Sequence, residues 1–304
     1  LPTNFLFLEK PKARLKIRQN FYAYIFVLPA ALVLGSFVLL PIVDAIFLSL
    51  HKVQLFGGIR YDFIGLHNFS YLIQDQQVGI AFRNTAQYVV MVVPTQTILA
   101  LILAVTLNSA IWGQKLGLMT LFLPTVTSST VLTLIFMWIY HPQGLLNHLL
   151  ATIGLPTYNW LGDPGVALKG IMMMNIWSTA PLYMIIYLAA LQSIPQMLYE
   201  AAELDGANIW EKFWHITIPH LRPVTFFVLA MGIIGTFQLF DQSYIFSGGT
   251  GGPNNATLTL VLLIYQAVFQ NLQMGYGAAI ACSLGLIIMV ITYLHRLIFE
   301  DEKV

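Results

Sequence analysis

The sequence predicts an all-α, polytopic membrane protein with six transmembrane helices, and three observations predict it. Of 304 residues, 58% are hydrophobic and 9% charged, where a soluble globular domain carries roughly 25% charged residues; mean hydropathy is +0.75. Six stretches, near 21–48, 86–108, 117–140, 167–191, 223–246 and 275–298, reach the ~20 mainly apolar residues needed to cross a bilayer. Basic residues are unevenly divided among the connections, which orients the chain. A net charge of +1 gives no electrostatic reason to expect nucleic acid. The lone Cys282 lies in an apolar run, so no disulfide forms within the chain and no zinc spacing exists.

Taken in order, Lys10, Lys12, Arg14, Lys16 and Arg18 precede an apolar run from Phe21 to about Leu50. That run far exceeds the roughly 7–15 residues of a cleaved signal core. Residues 1–20 therefore read as a cytoplasmic basic tail, and 21–50 as the first transmembrane helix. Every span but the last contains or begins with proline: Pro29 and Pro41, Pro94, Pro124, Pro181, Pro223. Such breakers are tolerated where neighbours satisfy the freed backbone groups, so bent helices around a shared interior are expected. The side of the loops 49–85, 141–166 and 247–274 holds Lys52, Arg60, Arg83 and, at the start of the fourth span, Lys169; the other ten of the 14 Lys and Arg share the side of both termini. The positive-inside rule puts that side in the cytoplasm.

Between the fourth and fifth spans lies EAAELDGANIWEKFWHITIP, Glu200 to Pro219, far more polar than its surroundings. Read locally it is two short helices. Ser193 caps the first, with Pro195 in its first turn, and Met197, Ala201 and Leu204 share a face. Gly206 supplies the left-handed residue that ends it. Asn208 and Glu211 have capping-box spacing; Ile209, Phe213 and Ile216 form an apolar stripe, widened by Trp210 and Trp214. Pro219 is expected to stop the second helix and Pro223 to start the fifth span. Interfacial helices carry Lys and Arg toward anionic lipid, whereas Glu200, Glu203, Asp205 and Glu211 outnumber Lys212 here. A docking element for a cytoplasmic partner fits that charge better than a lipid-lying pair.

Glu200-Ala201-Ala202, then Asp205-Gly206-Ala207, then Ile216-Thr217-Ile218-Pro219 resemble the EAA loop of ABC importer permeases. The run LQSIPQMLYEAAELDGANIWEKFWHITIPHLRP is similar to the carbohydrate-uptake group, relatives of the maltose and glycerol-phosphate permeases. Ile64-Gly65-Leu66-His67-Asn68-Phe69, Trp160-Leu161-Gly162-Asp163-Pro164 and Phe240-Asp241-Gln242 through Gly251-Gly252-Pro253 also fit, so the likeness covers about 20–300. It implies a type I ABC importer transmembrane domain over 84–300, in which 194–220 is a cytoplasmic coupling helix seated in an ATPase. Glu200, Ala201, Ala202, Asp205, Gly206, Phe213, Trp214 and Pro219 would then form the ATPase-coupling set. The implied partners are a second homologous permease, two cytoplasmic ATPase subunits, an extracytoplasmic solute-binding protein and the bacterial cytoplasmic membrane.

A phosphate-binding G-x-x-x-x-G-K-[ST] loop is absent from the sequence. No nucleophile, acid–base pair or metal cluster stands out, and no intramembrane acid pair or arginine ladder points to ion coupling. The chain is therefore expected to be non-catalytic and without a cofactor of its own, with ATP and Mg bound by the implied ATPase partners. Polar residues inside spans mark the expected substrate path: Thr125 and Ser129, four apart on the third span; Trp177, Thr179 and Tyr183 on the fourth; Gln238 and Asp241, three apart on the fifth. Hydroxyls, amides, a carboxylate and aromatic rings are what a sugar site needs. By resemblance these helices line a solute cavity, although small hydroxyls also pack helices closely or bond their own backbone. An autonomous secondary transporter or channel, and a scaffold recruiting a cytoplasmic protein, are the alternatives from other classes. The solute stays open among disaccharides, oligosaccharides, glycerol-phosphate compounds and glycosylated compatible solutes.

Overall fold

The computed structural model describes residues 24–55, 57–109 and 114–300; the expected basic tail at 1–20, the start of the first span at Phe21 and Lys303 lie outside the described residues. The first span, α1 (Tyr24–Ser49), is mainly apolar, with Asp44 near its end, and buries none of its most apolar stretch within the chain. A hairpin follows, β1 (His51–Gln54) paired antiparallel with β2 (Arg60–Phe63), His51 opposite Phe63. It is a small strand element in a fold that is otherwise all-α among the described residues, as expected. Gly57 and Gly58 sit between its strands at φ +83° and +110°, a conformation that lacks a steric cost only for glycine. After α2 (His67–Gln74) comes α3 (Gln76–Asn108), which begins ten residues before the expected second span at 86 because Asp75 caps it, accepting from the Gln77 N–H at 2.8 Å.

The third span is not one helix. The pair α4 (Gln114–Val126) and α5 (Ser129–Ile139) is bent by 101°. Pro124 weakens the ladder one turn earlier, the Thr127 hydroxyl takes the Leu123 carbonyl at 2.9 Å, and Ser128 is extended at φ −55°, ψ 137°. Thr125 and Ser129 therefore do not share a helical face. Beyond α6 (Leu145–Thr152) runs the fourth span, α7 (Ala167–Gln192), close to its expected bounds.

The next elements are α8 (Gln196–Leu204), α9 (Ile209–Lys212), a wide π turn (Phe213–Thr217), α10 (Ile218–Phe237) and α11 (Asp241–Ser247). The helical path from Ile209 to Phe237 is continuous, so Pro219 does not stop it and Pro223 lies within α10. A wide turn ends two residues before Pro219 and another, Gly35–Leu39, ends two before Pro41. An i→i+5 turn there absorbs the misfit of a proline ring and its missing donor. Gln238 and Asp241 in turn fall on either side of a helix break rather than on one face. The chain closes with α12 (Leu260–Tyr265), a wide turn (Gln266–Gln270) and the sixth span, α13 (Met274–Glu300).

α3, α7 and α10 pack together at the centre. Their buried side chains form an apolar cluster toward the Glu200 segment, including Ala100, Ala104, Met184, Tyr187, Leu221 and Val228. Two further clusters lie toward the opposite end, one around Val89, Val93, Phe237 and Ile280, the other around Tyr88, Tyr140, Ile171 and Met174. A buried polar layer of Gln96, Thr97 and Thr236 separates the first from the others along α3 and α10.

The hairpin is fastened where α1 meets α13. The buried Asn68 amide donates to Ser49 O at 2.8 Å and His51 O at 3.2 Å. A Cβ on Gly275 would lie 2.1 Å from His51 O and 3.2 Å from Asn68 Nδ2. Gly275→Ala must therefore push two backbones apart, and a loss of about 1–3 kcal/mol is expected. A lowered thermal midpoint in detergent checks this; an unchanged midpoint shows the contact to be slack.

Candidate functional site

Two features stand apart from plain helix packing: an exposed joint at one end of the bundle and a polar cavity in its middle. The joint begins where α7 stops. The Ser193 hydroxyl donates back to Ala190 O at 2.7 Å, so it closes the fourth span rather than capping α8, whose N-cap is Pro195. α8 ends in a Schellman motif. Ala207 N–H donates to Ala202 O at 2.9 Å, Gly206 N–H donates to Glu203 O at 3.1 Å, and Gly206 is at φ +83°. The capping box of α9 is complete, with Glu211 N–H on Asn208 Oδ1 at 3.0 Å and Asn208 N–H on Glu211 Oε2 at 2.7 Å.

Two side-chain bonds clamp α8 to the base of the fifth span. Lys212 Nζ meets Glu203 Oε1 at 2.6 Å, and the Tyr199 and Thr217 hydroxyls are 2.9 Å apart. Tyr199 is not among the residues the sequence singles out; it lies on the face of α8 opposite Met197, Ala201 and Leu204, and that expected apolar face is exposed. Glu200 is exposed and makes no bond to the joint's own backbone among the described residues. Ala202 and Phe213 are half-buried while Ala201, Asp205, Trp214 and Pro219 are exposed. Trp210, Phe213 and Trp214 stack edge-on, with centroids 6.4 and 5.5 Å apart. Leu204 is 90% exposed, Ile209 79% and Trp210 72%, large apolar side chains of the kind that mark an interaction site when they gather on a surface.

The cavity, about 230 Å³, is lined from α3 by Tyr88 and Gln96, from α7 by Asn175, Thr179 and Tyr183, and from the fifth span by Gly232, Gly235, Thr236 and residues 238–242. Its floor is buried: Tyr88 is fully covered and Gln96 is 1% exposed. The Thr179 hydroxyl donates to Gln96 Oε1 at 2.7 Å. Gln96 reaches that position because α10 carries glycine opposite, where a Cβ on Gly232 would lie 2.8 Å from Gln96 Nε2. The mouth is formed by the exposed Gln238 and Asp241, beside the break between α10 and α11. The carbonyl of Leu239 freed at that break accepts the buried Thr259 hydroxyl at 2.9 Å. Across the mouth, Ser129 at the start of α5 donates to Asp241 Oδ2 at 2.6 Å. Both breaks in the bundle thus meet at the cavity, where irregular backbone at membrane depth is tolerated.

Of the residues expected along a substrate path, Thr179, Tyr183, Gln238 and Asp241 line this cavity and Ser129 is one bond away. Thr125 instead donates to Ser178 O at 3.1 Å, tying α4 to α7. Trp177 packs beside Phe136, with centroids 5.4 Å apart. Tyr88 and Gln96 were missed. Gln96-Thr97 just after Pro94 was the available signal, a polar pair inside an apolar span. The Tyr88 hydroxyl is buried with no hydrogen-bond partner among the described residues, an arrangement that costs about 1–3 kcal/mol unless something else meets it.

A helical membrane bundle with broken spans around a polar cavity, and an exposed joint built into one of those spans, is a transport protein. The chain belongs to the binding-protein-dependent transport system inner membrane component family, whose model matches residues 87–301. It is 36% identical to the lactose transport system permease protein of Rhizobium radiobacter over 96% of this chain and 98% of that one. It is 34% identical to the arabinooligosaccharides transport system permease protein of Bacillus subtilis (strain 168), over 90% and 89%. Its fold matches a chain of a bacterial ABC transporter involved in the import of the acidic polysaccharide alginate, with TM-score 0.83 and 21% identity, over 97% of this chain and 100% of that chain.

Two substitutions test the local geometry. Tyr199→Phe removes one neutral hydrogen bond, about 0.5–1.5 kcal/mol, so amides of Gln196–Leu204 should exchange several-fold faster while the core of α7 is unaffected. Thr259→Val strands the Leu239 carbonyl and should lower the thermal midpoint more than Thr106→Val, whose hydroxyl bonds an exposed turn.

Proposed function

We propose that this chain is the permease subunit of an ATP-driven importer for a sugar or oligosaccharide in the bacterial cytoplasmic membrane, with both termini cytoplasmic. It pairs with a second, similar permease, takes two ATPase subunits at the Glu200 joint, and receives solute from a binding protein at the opposite end. One observation supports this reading above the others. The joint is not a separate loop: from Ile209 the helix runs unbroken into α10, and α10 ends at the cavity mouth. Displacement of the joint therefore carries directly to the residues that line the solute path.

Each part has a chemical task. The exposed apolar edge of Leu204, Ile209 and Trp210 fills a groove on the ATPase, and Glu200 supplies a charge-assisted bond to it. Tyr199–Thr217 and Glu203–Lys212 make α8 and the fifth span move as one body. When ATP closes the ATPase dimer, the two permeases' joints approach and the cavity turns outward; hydrolysis reverses the motion. Energy enters through the joint, and the chain contributes binding groups rather than bond-breaking chemistry. Named activities of the relatives, lactose and arabinooligosaccharide transport, agree with a cavity wall of amides, hydroxyls and rings.

Retrieval from native membranes in mild detergent should recover an ATPase and a second six-span protein, and Glu200→Lys should lose the ATPase. Gly206→Pro forces φ from +83° to about −65° and deletes the N–H on Glu203 O. It should reduce ATP-dependent sugar uptake to the ATP-free background while membrane insertion is retained. Wild-type uptake in Gly206→Pro, or full uptake in ATP-free vesicles, overturns the coupling role.

A further inference from the structure

We infer that the solute this cavity receives is an uncharged saccharide, and that Asp241 is the residue that rejects acidic ones; this rests on the sugar-importer reading above. The fold does not decide the point, since an alginate importer shares it; the lining does. Asp241 is the one carboxylate among the lining residues, and no lysine, arginine or histidine is among them. Basic side chains on the same helices stand off: Lys169 precedes Asn175 by about 9 Å of helical rise, Arg83 precedes Tyr88 by about 7.5 Å and Arg222 precedes Gly232 by about 15 Å.

The distribution of donors and acceptors suits a neutral polyhydroxyl ligand. At the mouth, Ser129 occupies Asp241 Oδ2, and Oδ1 has no partner among the described residues, so it is open to accept from sugar hydroxyls. On the floor, the buried Tyr88 hydroxyl has no partner among the described residues and can both donate and accept. Gln96 and Thr179 are already joined to each other and hold the floor's shape. Amides of Asn175, Gln238 and Gln242 complete a wall that carries both donors and acceptors. A phosphate, sulfonate or uronate placed here would meet a carboxylate and no basic side chain among the described lining residues, and a charge moved out of water without a partner is penalised. A tenfold preference corresponds to about 1.4 kcal/mol, within what two like charges a few ångströms apart exchange at a partly wetted surface.

The test uses the complete transporter, purified with its co-purifying subunits and binding protein and reconstituted in vesicles loaded with ATP. The probes are radiolabelled lactose, maltose and arabino-oligosaccharides, and the aldonic acids made by oxidising the same sugars at the reducing end. Neutral sugars should enter at least ~10-fold faster than their acids, and Asp241→Asn should raise the acid-to-neutral uptake ratio by about that factor. Gln242→Lys, which leaves Asp241 in place and adds a cation beside it, should shift the ratio the same way; it keeps the test alive where Asp241→Asn fails to assemble. Acids entering as fast as neutral sugars, or a ratio unmoved by both variants while neutral uptake persists, overturns the assignment to Asp241 but leaves the sugar-importer reading standing. Absence of ATP-dependent uptake of either set removes that reading and this inference together.

Discussion

The Thr259 hydroxyl donates to the Leu239 carbonyl where the fifth span stops being helical, and much of the bundle's design can be read from that one bond. Lipid supplies no hydrogen-bond partner, so a span can open only where protein or an internal cavity meets the freed groups. Thr259 meets one of them from a connecting segment twenty residues farther along the chain. The third span opens at Thr127-Ser128, and its next helix starts with Ser129 bonded to Asp241. The fifth-span break is thus held by a side chain from outside it, whereas at the third-span break Thr127 meets the Leu123 carbonyl from within the span and Ser129 ties the next helix to Asp241. Without the Thr259 hydroxyl, the Leu239 carbonyl beside the polar interior would be left without that partner.

Wide turns do similar work at the other end. Pro219 lies in a path that in the proposed importer stays helical to transmit displacement, yet proline removes a ladder donor and crowds the carbonyl one turn before it. Placing an i→i+5 turn over Phe213–Thr217 lets the helix pass through that proline with its side chains re-phased instead of stopping. The re-phased turn also brings Thr217 beneath Tyr199. One local irregularity thus keeps the rod intact and supplies the clamp that fastens α8 to it.

What was legible in the sequence divides along the same physical line. Hydropathy located the fourth and sixth spans closely, because long apolar runs have few alternatives in lipid. The Schellman turn at Gly206 and the capping box at Asn208 and Glu211 were legible because each is settled by residues within six positions of one another. The bend at Ser128 and the passage through Pro219 were not. Both depend on partners across the bundle or on a turn type that local propensity does not encode. The hairpin at His51–Gln54 and Arg60–Phe63 escaped because four-residue strands beside a membrane leave too short an alternation to read. Within the site, Thr179, Tyr183, Gln238 and Asp241 stood out as polar residues near proline or aromatic neighbours. Gln96 did not, since one amide barely changes the hydropathy of a 33-residue helix. Its importance comes from Gly232 opposite, a pairing that appears only when α3 and α10 are laid side by side.

The polar layer that includes Gln96 also divides the core. On α3 the apolar cluster around Ala100 and Ala104 ends and that around Val89 and Val93 begins at Gln96 and Thr97; on α10 the change falls between Val228 and Phe237, around Gly232 and Thr236. On α7, Thr179 stands between Met174 and Ala180 at the same transition. Apolar clusters packed near crystal density resist partial deformation, so relative motion costs least where few such contacts cross. Hydrogen bonds such as Thr179–Gln96 can be exchanged for bonds to water or solute at small net cost, whereas interdigitated aliphatic side chains cannot be parted so cheaply. In the proposed importer the cluster nearest the joint is clamped to it through Tyr199 and Ile216. It therefore moves with the ATPase, and the seam it moves along is the layer where the solute sits.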